Sequence, residues 1–224
     1  MKSSLRLRLF QPPVPDRDAA DFGIVYDFWR DSWSDVYREI GGTFDPASDN
    51  LTRQHEVITL MDGRRPIAMV CHRFVNFKDP SLYADSYFHT GWPPLALKAL
   101  KRKAAQFDGT GVIGSQIIVA KDWRARDLKL GLKMLISFAS FQRVRDLGAA
   151  FTIGTIRVDR GMDKVFEACG ARVLARGLEY HGATVDLVYF APSEAPIVIP
   201  ETARADVEKL WHDLQNETNL RRTG

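Results

Sequence analysis

The sequence predicts an α/β fold, a mixed, twisted sheet flanked by helices on both faces. Three observations carry this expectation. "VIGSQIIVA" is a nearly unbroken apolar run, the mark of a strand covered on both sides. A Leu-rich pattern at helical spacing succeeds it across one short basic joint, "KDWRARDLKLG". Upstream, "HEVITLMDGRRPIAMVCHRF" holds two β-rich runs around Asp62 and Gly63, residue types that accept the backbone angles of a tight reversal.

The remaining elements come in order along the chain. Leu5, Leu7 and Leu9 alternate with arginines, which predicts a first strand with one buried face. From Phe22, the residues Val25, Trp29, Trp33, Val36, Tyr37 and Ile40 recur at helical spacing, and Gly41 and Gly42 supply a stop. The hairpin comes next, then an aromatic loop, "LYADSYF", after which Pro93 or Pro94 opens a helix through Ala96, Leu100, Ala104 and Phe107. Beyond the buried strand, a long helix carries Leu128, Leu132, Leu135, Phe138 and Ala139 and stops near Gly148. "AAFTIGTIRV" is a further strand and "MDKVFEACG" a short helix. "ARVLARGLEY" and "ATVDLVYFA" are two last strands joined across His181 and Gly182. One domain is therefore expected over residues 1–191. A Pro-rich linker and an amphipathic helix with Val207, Leu210, Trp211 and Leu214 on one face fill 192–224; the helix packs on the domain, or on a partner in a homodimer.

Composition narrows the function classes. The 224 residues suffice for a sizeable core, and 45% hydrophobic with 26% charged residues is ordinary for a folded chain. A net charge of +3 does not indicate nucleic acid; the basic run "KALKRKAAQ" has no interleaved aromatics and reads as a solvated face. "MKSSLRLRLF" lacks the apolar run of a secretory signal and no segment is long enough to span a bilayer, so a cytoplasmic location is expected. Cys71 and Cys169 sit in apolar stretches and read as reduced core thiols rather than nucleophiles. The five histidines show no ligand spacing, so no metal is expected.

Two stretches carry a resemblance. "VAKDWRARDLKLGLKML" and "DRGMDKVFEACGARVLARG", together with the element order from about Phe22 to Ala191, resemble the GNAT superfamily of N-acyltransferases. The first is similar to that superfamily's strand-to-helix loop, the second to its closing helix and strand. The resemblance implies a GNAT-type sheet and transfer of an acyl group to a small-molecule or peptide amine by direct attack on a thioester. The donor would be acyl-CoA or the phosphopantetheine of acyl carrier protein. By resemblance, the backbone N–H groups of Ile117, Ile118 and Val119 would hold the pantetheine arm and thioester carbonyl, with Gly131 in the cofactor loop. A helix start exposes unpaired N–H groups and the positive end of its dipole, so Arg124, Arg126 and Lys129 grouped there suit a pyrophosphate and are unfavourable without an anion.

The chain departs from the pattern in places. Asp127 and Lys129 stand where the usual loop has glycines, and Phe166 stands where many members carry a tyrosine that protonates the leaving thiolate. A helix with paired tryptophans, the hairpin and the aromatic loop also resemble the acyl-homoserine lactone synthases and long-chain N-acyl amino acid synthases. Ile113 and Gln116, however, occupy positions where that subgroup's Glu and Arg are expected. Trp29, Trp33, Tyr83, Tyr87 and Phe88 are either core or the wall of an acyl pocket. Amine acylation needs a base within reach of the ammonium; Glu56, His72, Asp85 and Glu179 are the candidates, and Tyr83 or Tyr87 could replace the missing acid. A module that binds acyl thioesters or another protein without turnover is the alternative.

Overall fold

A computed structural model describes residues 5–46, 51–89, 92–124, 131–180 and 182–222. Seven strands form one mixed sheet: β1 (Leu5–Phe10), β2 (Glu56–Asp62), β3 (Arg65–Val75), β4 (Gly111–Val119), β5 (Phe151–Arg157), β6 (Arg172–Tyr180) and β7 (Ala183–Phe190). They hydrogen-bond in the order β1-β2-β3-β4-β5-β7-β6, with β4 and β5 parallel and β1–β2, β2–β3, β5–β7 and β6–β7 antiparallel. The helices are α1 (Asp16–Glu39), α2 (Ser86–His89), α3 (Pro94–Ala104), α4 (Leu132–Asp146), α5 (Met162–Ala168) and α6 (Glu201–Arg222). The chain divides into two compact units.

The first unit comprises residues 1–72, 116–139 and 199–224. One face of its strands carries Phe10, Val57, Met61, Met69, Cys71 and Ile118, packed on Phe22, Val25 and Trp29 of α1. The opposite face carries Leu7, Leu9, Ile58, Leu60, Val70 and Val119, covered by Leu132, Leu135, Ile136 and Ala139 of α4 and by Leu214 of α6. The C-terminal helix thus lies on this unit's own strands, with Val207, Leu210 and Trp211 half-buried against them. Helix α1 begins earlier than its apolar spacing indicates. It opens after Pro15 with Asp16 and Asp18 in the first turn, where carboxylates complement the dipole.

Arg8 departs from the expectation for β1. It is not on a solvent face but buried, because α1 covers that side and offers it carboxylates: Nη2 lies 2.9 Å from Asp18 and Nη1 2.6 Å from Asp21. A buried charge survives only when so paired and hydrogen-bonded.

The second unit comprises residues 73–115 and 140–198. Phe151, Ile153, Val185, Leu187 and Tyr189 pack one face of its strands against Ala96, Leu100 and Ala104 of α3 and against the aromatic loop. On the other face Phe190 stacks on Phe141 of α4 at 4.4 Å, and Phe141 meets Phe166 of α5 edge-on at 5.3 Å. Glu194, beyond β7, accepts from Lys103 at 2.5 Å and from the Tyr189 hydroxyl at 2.8 Å, which fastens the Pro-rich segment to α3. Lys103 is therefore not part of a solvated basic face, and Lys101 sits 4.3 Å over the Tyr83 ring.

Candidate functional site

The expected cofactor cradle consists of β4 and the basic joint after it. In the second unit β4 pairs with β5 over three residues, Gly111↔Phe151, Val112↔Thr152 and Ile113↔Ile153. The described ladder stops there, although β4 runs on to Val119. Immediately past that end the two backbones come close: a Cβ on Gly154 would lie 2.8 Å from the Gly114 carbonyl oxygen.

Within the first unit β4 then contains a feature that the sequence did not reveal. Gln116 has φ 58°, the one positive value among the described non-glycine residues. Such a left-handed conformation costs a non-glycine residue about 1–3 kcal/mol. A left-handed residue of this kind is what a β-bulge places in a strand, and past it Ile117 and Val119 pack with Leu132 and Leu135 of α4 while Ile118 packs with the residues under α1. The Gln116 Oε1 accepts a 3.0 Å hydrogen bond from the indole N–H of Trp29 on α1. Trp29 is wholly buried, so the tryptophan is core and also a fixed donor.

The basic joint proves partly structural. Lys121 places its ammonium 2.8 Å from Asp35 of α1, and Asp122 takes both Nη atoms of Arg65 at 2.8 Å. Trp123 is buried in the first unit's core. Arg124 donates through Nε to the carbonyl of Val119, the last residue of β4, at 3.0 Å. Its two Nη groups have no partner among the described residues, so a charged fork stands at the strand end. Arg126, Lys129 and Leu128 lie outside the described residues.

Gly131 precedes the first turn of α4, where its carbonyl accepts from Leu135 N–H at 3.0 Å. Its φ is not positive and a Cβ there would meet nothing. Gly131→Ala is therefore expected to lower the melting temperature by no more than about 3 °C, an effect of about 1 kcal/mol or less. A larger fall on thermal denaturation would mean the glycine is needed for its shape.

In the first unit two of the proposed acid–base residues come together. Glu56 and His72 face one another across β2 and β3, with Oε2 and Nδ1 3.9 Å apart, and Gln11 donates to Glu56 at 3.1 Å. Both side chains are fully buried, on the face with Ile58 and Val70.

In the second unit Asp85 accepts from both Nη atoms of Arg73 at 2.9 and 3.2 Å and from the N–H of Tyr87 at 2.9 Å. Burial alone would raise its carboxyl, but these donors outweigh it and hold the group below the usual carboxylate value. An ion-paired, acidic Asp is a poor base. Tyr83 donates to the carbonyl of Phe77 at 2.9 Å, and burial pushes its phenol above the ordinary value. Glu179 accepts from Thr184 on the exposed side of the β6–β7 pair. Tyr87 and Phe88 pack with Trp92 and Phe77 in the second unit's core. Phe166 is core too, so its ring has a packing role. Burial pushes the Cys169 thiol up to about 12, and Cys71 is fully buried, which removes both from nucleophilic chemistry.

No protein-family model and no curated protein matches the chain. Solved structures do. FeeM, an N-acyl amino acid synthase from uncultured soil microbes, is 10% identical with a TM-score of 0.57, over 87% of this chain and 93% of its own. BjaI, a CoA-dependent acyl-homoserine lactone synthase seen with SAM and isopentyl-CoA, is 13% identical at 0.56, over 92% and 90%. A protein from Lactobacillus plantarum assigned as an N-acetyltransferase is 14% identical at 0.50, over 83% and 98%. The fold is of GNAT type. Among the described residues no helix is long and apolar enough to cross a membrane.

Proposed function

We propose that the protein transfers an acyl group from an acyl thioester, acyl-CoA or acyl carrier protein, to a small-molecule or peptide amine. The observation that carries this reading is the end of β4 in the first unit: its backbone turns left-handed at Gln116, and the carbonyl of its last residue, Val119, accepts from the Arg124 guanidinium. The backbone N–H groups of Ile117, Ile118 and Val119 are the proposed donors to pantetheine and thioester carbonyl, with Arg124, Arg126 and Lys129 beside the pyrophosphate. The amine nitrogen attacks the thioester carbonyl, the C–N bond forms and the C–S bond breaks. The ammonium proton leaves to solvent and the thiolate departs without a tyrosine at position 166. The structural neighbours that are N-acyl amino acid and acyl-homoserine lactone synthases support the same class. The aromatic residues fill cores and give no preference for acyl length.

The test is calorimetry and thiol release with acetyl-, octanoyl- and dodecanoyl-CoA and an amine panel. Wild-type protein is expected to bind at least one thioester and release thiol only when an amine is present. Arg124→Ala is expected to weaken acyl-CoA binding about tenfold, since a charge-assisted contact contributes about 1.5 kcal/mol or more, while the melting temperature falls by only about 4 °C. Equal affinity in this variant, or no thioester bound by the wild type, would sink the assignment. A second reading, binding without turnover, is favoured by the engagement of Asp85 and Tyr83 and the burial of Glu56 and His72; thioester binding without amine-dependent thiol release would select it.

A further inference from the structure

We infer that Gln116, latched by Trp29, is a positioning residue for the thioester-binding edge of β4; the inference rests on the acyl-transfer reading above. The left-handed backbone at Gln116 is the strained point of the strand, and strain of this kind persists only where its surroundings over-determine it. Glycine would adopt φ 58° without penalty. The chain instead keeps glycine two residues earlier, at Gly114, and uses a long amide where the conformation is unfavourable. The side chain therefore has a purpose that its backbone does not.

Its partner defines that purpose. An indole N–H can only donate, so the amide must turn Oε1 toward Trp29, and this fixes the orientation of the whole side chain. Trp29 cannot drift. Its ring is wholly buried among Phe22, Val25, Val57, Met69 and Ile118, and stands edge-on to Phe44 at 5.2 Å. The latch thus ties the bulge to the core under α1, one residue before Ile117. The direction of the peptide N–H groups from Ile117 onward is set by the bulge dihedral. Asparagine tolerates the left-handed region but is one methylene short of the indole. Glutamate keeps the reach and an acceptor oxygen.

The experiment compares wild type, Trp29→Phe, Gln116→Asn, the double variant and Gln116→Glu by steady-state kinetics, calorimetry and thermal melting, using the acyl-CoA that the wild type accepts. Trp29→Phe and Gln116→Asn are each expected to lower kcat about tenfold with KM for the amine unchanged, and the double variant to be no worse than either single one. Gln116→Glu is expected to retain most of kcat. If both single variants melt lower but keep wild-type kcat and acyl-CoA affinity, the bond is structural only and the inference fails. Additive losses in the double variant would overturn it as well. If the wild type itself binds and turns over no thioester, the acyl-transfer reading falls first and takes this one with it.

Discussion

Arg8→Ala is expected to destabilise the first unit by about 3–5 kcal/mol, read as a fall in melting temperature on the order of 10 °C. The guanidinium is held 2.9 Å from Asp18 and 2.6 Å from Asp21, and its carbon lies 4.9 Å from the Phe10 ring centroid. Exposed ion pairs are worth little, but here the Arg8 and Asp18 side chains are only 7% and 8% exposed. Truncating Arg8 leaves the Asp18 carboxylate buried without its counter-charge. Arg8→Lys should fall between, because one ammonium cannot fork to two carboxylates.

Acid should erase part of that difference. The hydrogen bond from Arg8 holds the Asp21 carboxyl below its usual value. A depressed carboxylate stabilises the fold above its unfolded pKa and loses that contribution as pH falls through the folded one. The gap between wild type and Arg8→Ala in urea denaturation should therefore narrow between about pH 4 and pH 2. A gap under about 1 kcal/mol at pH 7 would show the pair to be dispensable.

The order of elements was legible because each carries its own period. The alternation of Leu5, Leu7 and Leu9, the helical spacing through Trp29 and Trp33, and the glycine-bearing turn at Gly63, with φ 59°, are local signals. The buried strand was legible as a strand but not as a bulged one. In "VIGSQIIVA" residues of both parities are apolar, so a shift of one leaves no trace in the pattern, and glutamine is not a residue that announces a left-handed turn. One signal was present. A polar Gln stands in the middle of a run otherwise suited to a dry interior, and such a residue must find a partner. That partner, Trp29, lies 87 positions away in sequence.

The surroundings of the acid–base candidates were hidden for a related reason. Residue type showed that Glu56, His72, Asp85 and Tyr83 could titrate, but whether each is already engaged depends on tertiary neighbours. Arg73 neutralises Asp85 across twelve positions, and β2–β3 register puts Glu56 opposite His72 inside the core. Alternation points Arg8 toward solvent because it describes one strand, not the helix that covers it. The basic joint was half legible: its arginines and lysines were visible, but not that Lys121 would be drawn off to Asp35 of α1.

Gly154→Ala tests the point where β4 and β5 part, and a loss of about 1–3 kcal/mol is expected from it, with a fall in acyl-CoA affinity beyond what the lost stability explains. The new Cβ would sit 2.8 Å from the Gly114 carbonyl oxygen, closer than real Cβ contacts come, and that atom is backbone rather than the end of a flexible side chain. One strand must therefore shift. The shift begins one residue past the last ladder pair, Ile113↔Ile153, and Gln116 is only two residues beyond Gly114. Gly114→Ala is the control on the other strand. Its Cβ would meet the Thr152 hydroxyl at 3.4 Å and the Ile153 carbonyl at 3.6 Å, close to ordinary contact, and its φ is not positive. It is expected to cost less than about 1 kcal/mol and to leave thioester binding within about twofold of wild type. Thermal melting with calorimetry on acyl-CoA separates the two. Should both alanines behave alike, the close approach at Gly154 does not set the parting of the strands.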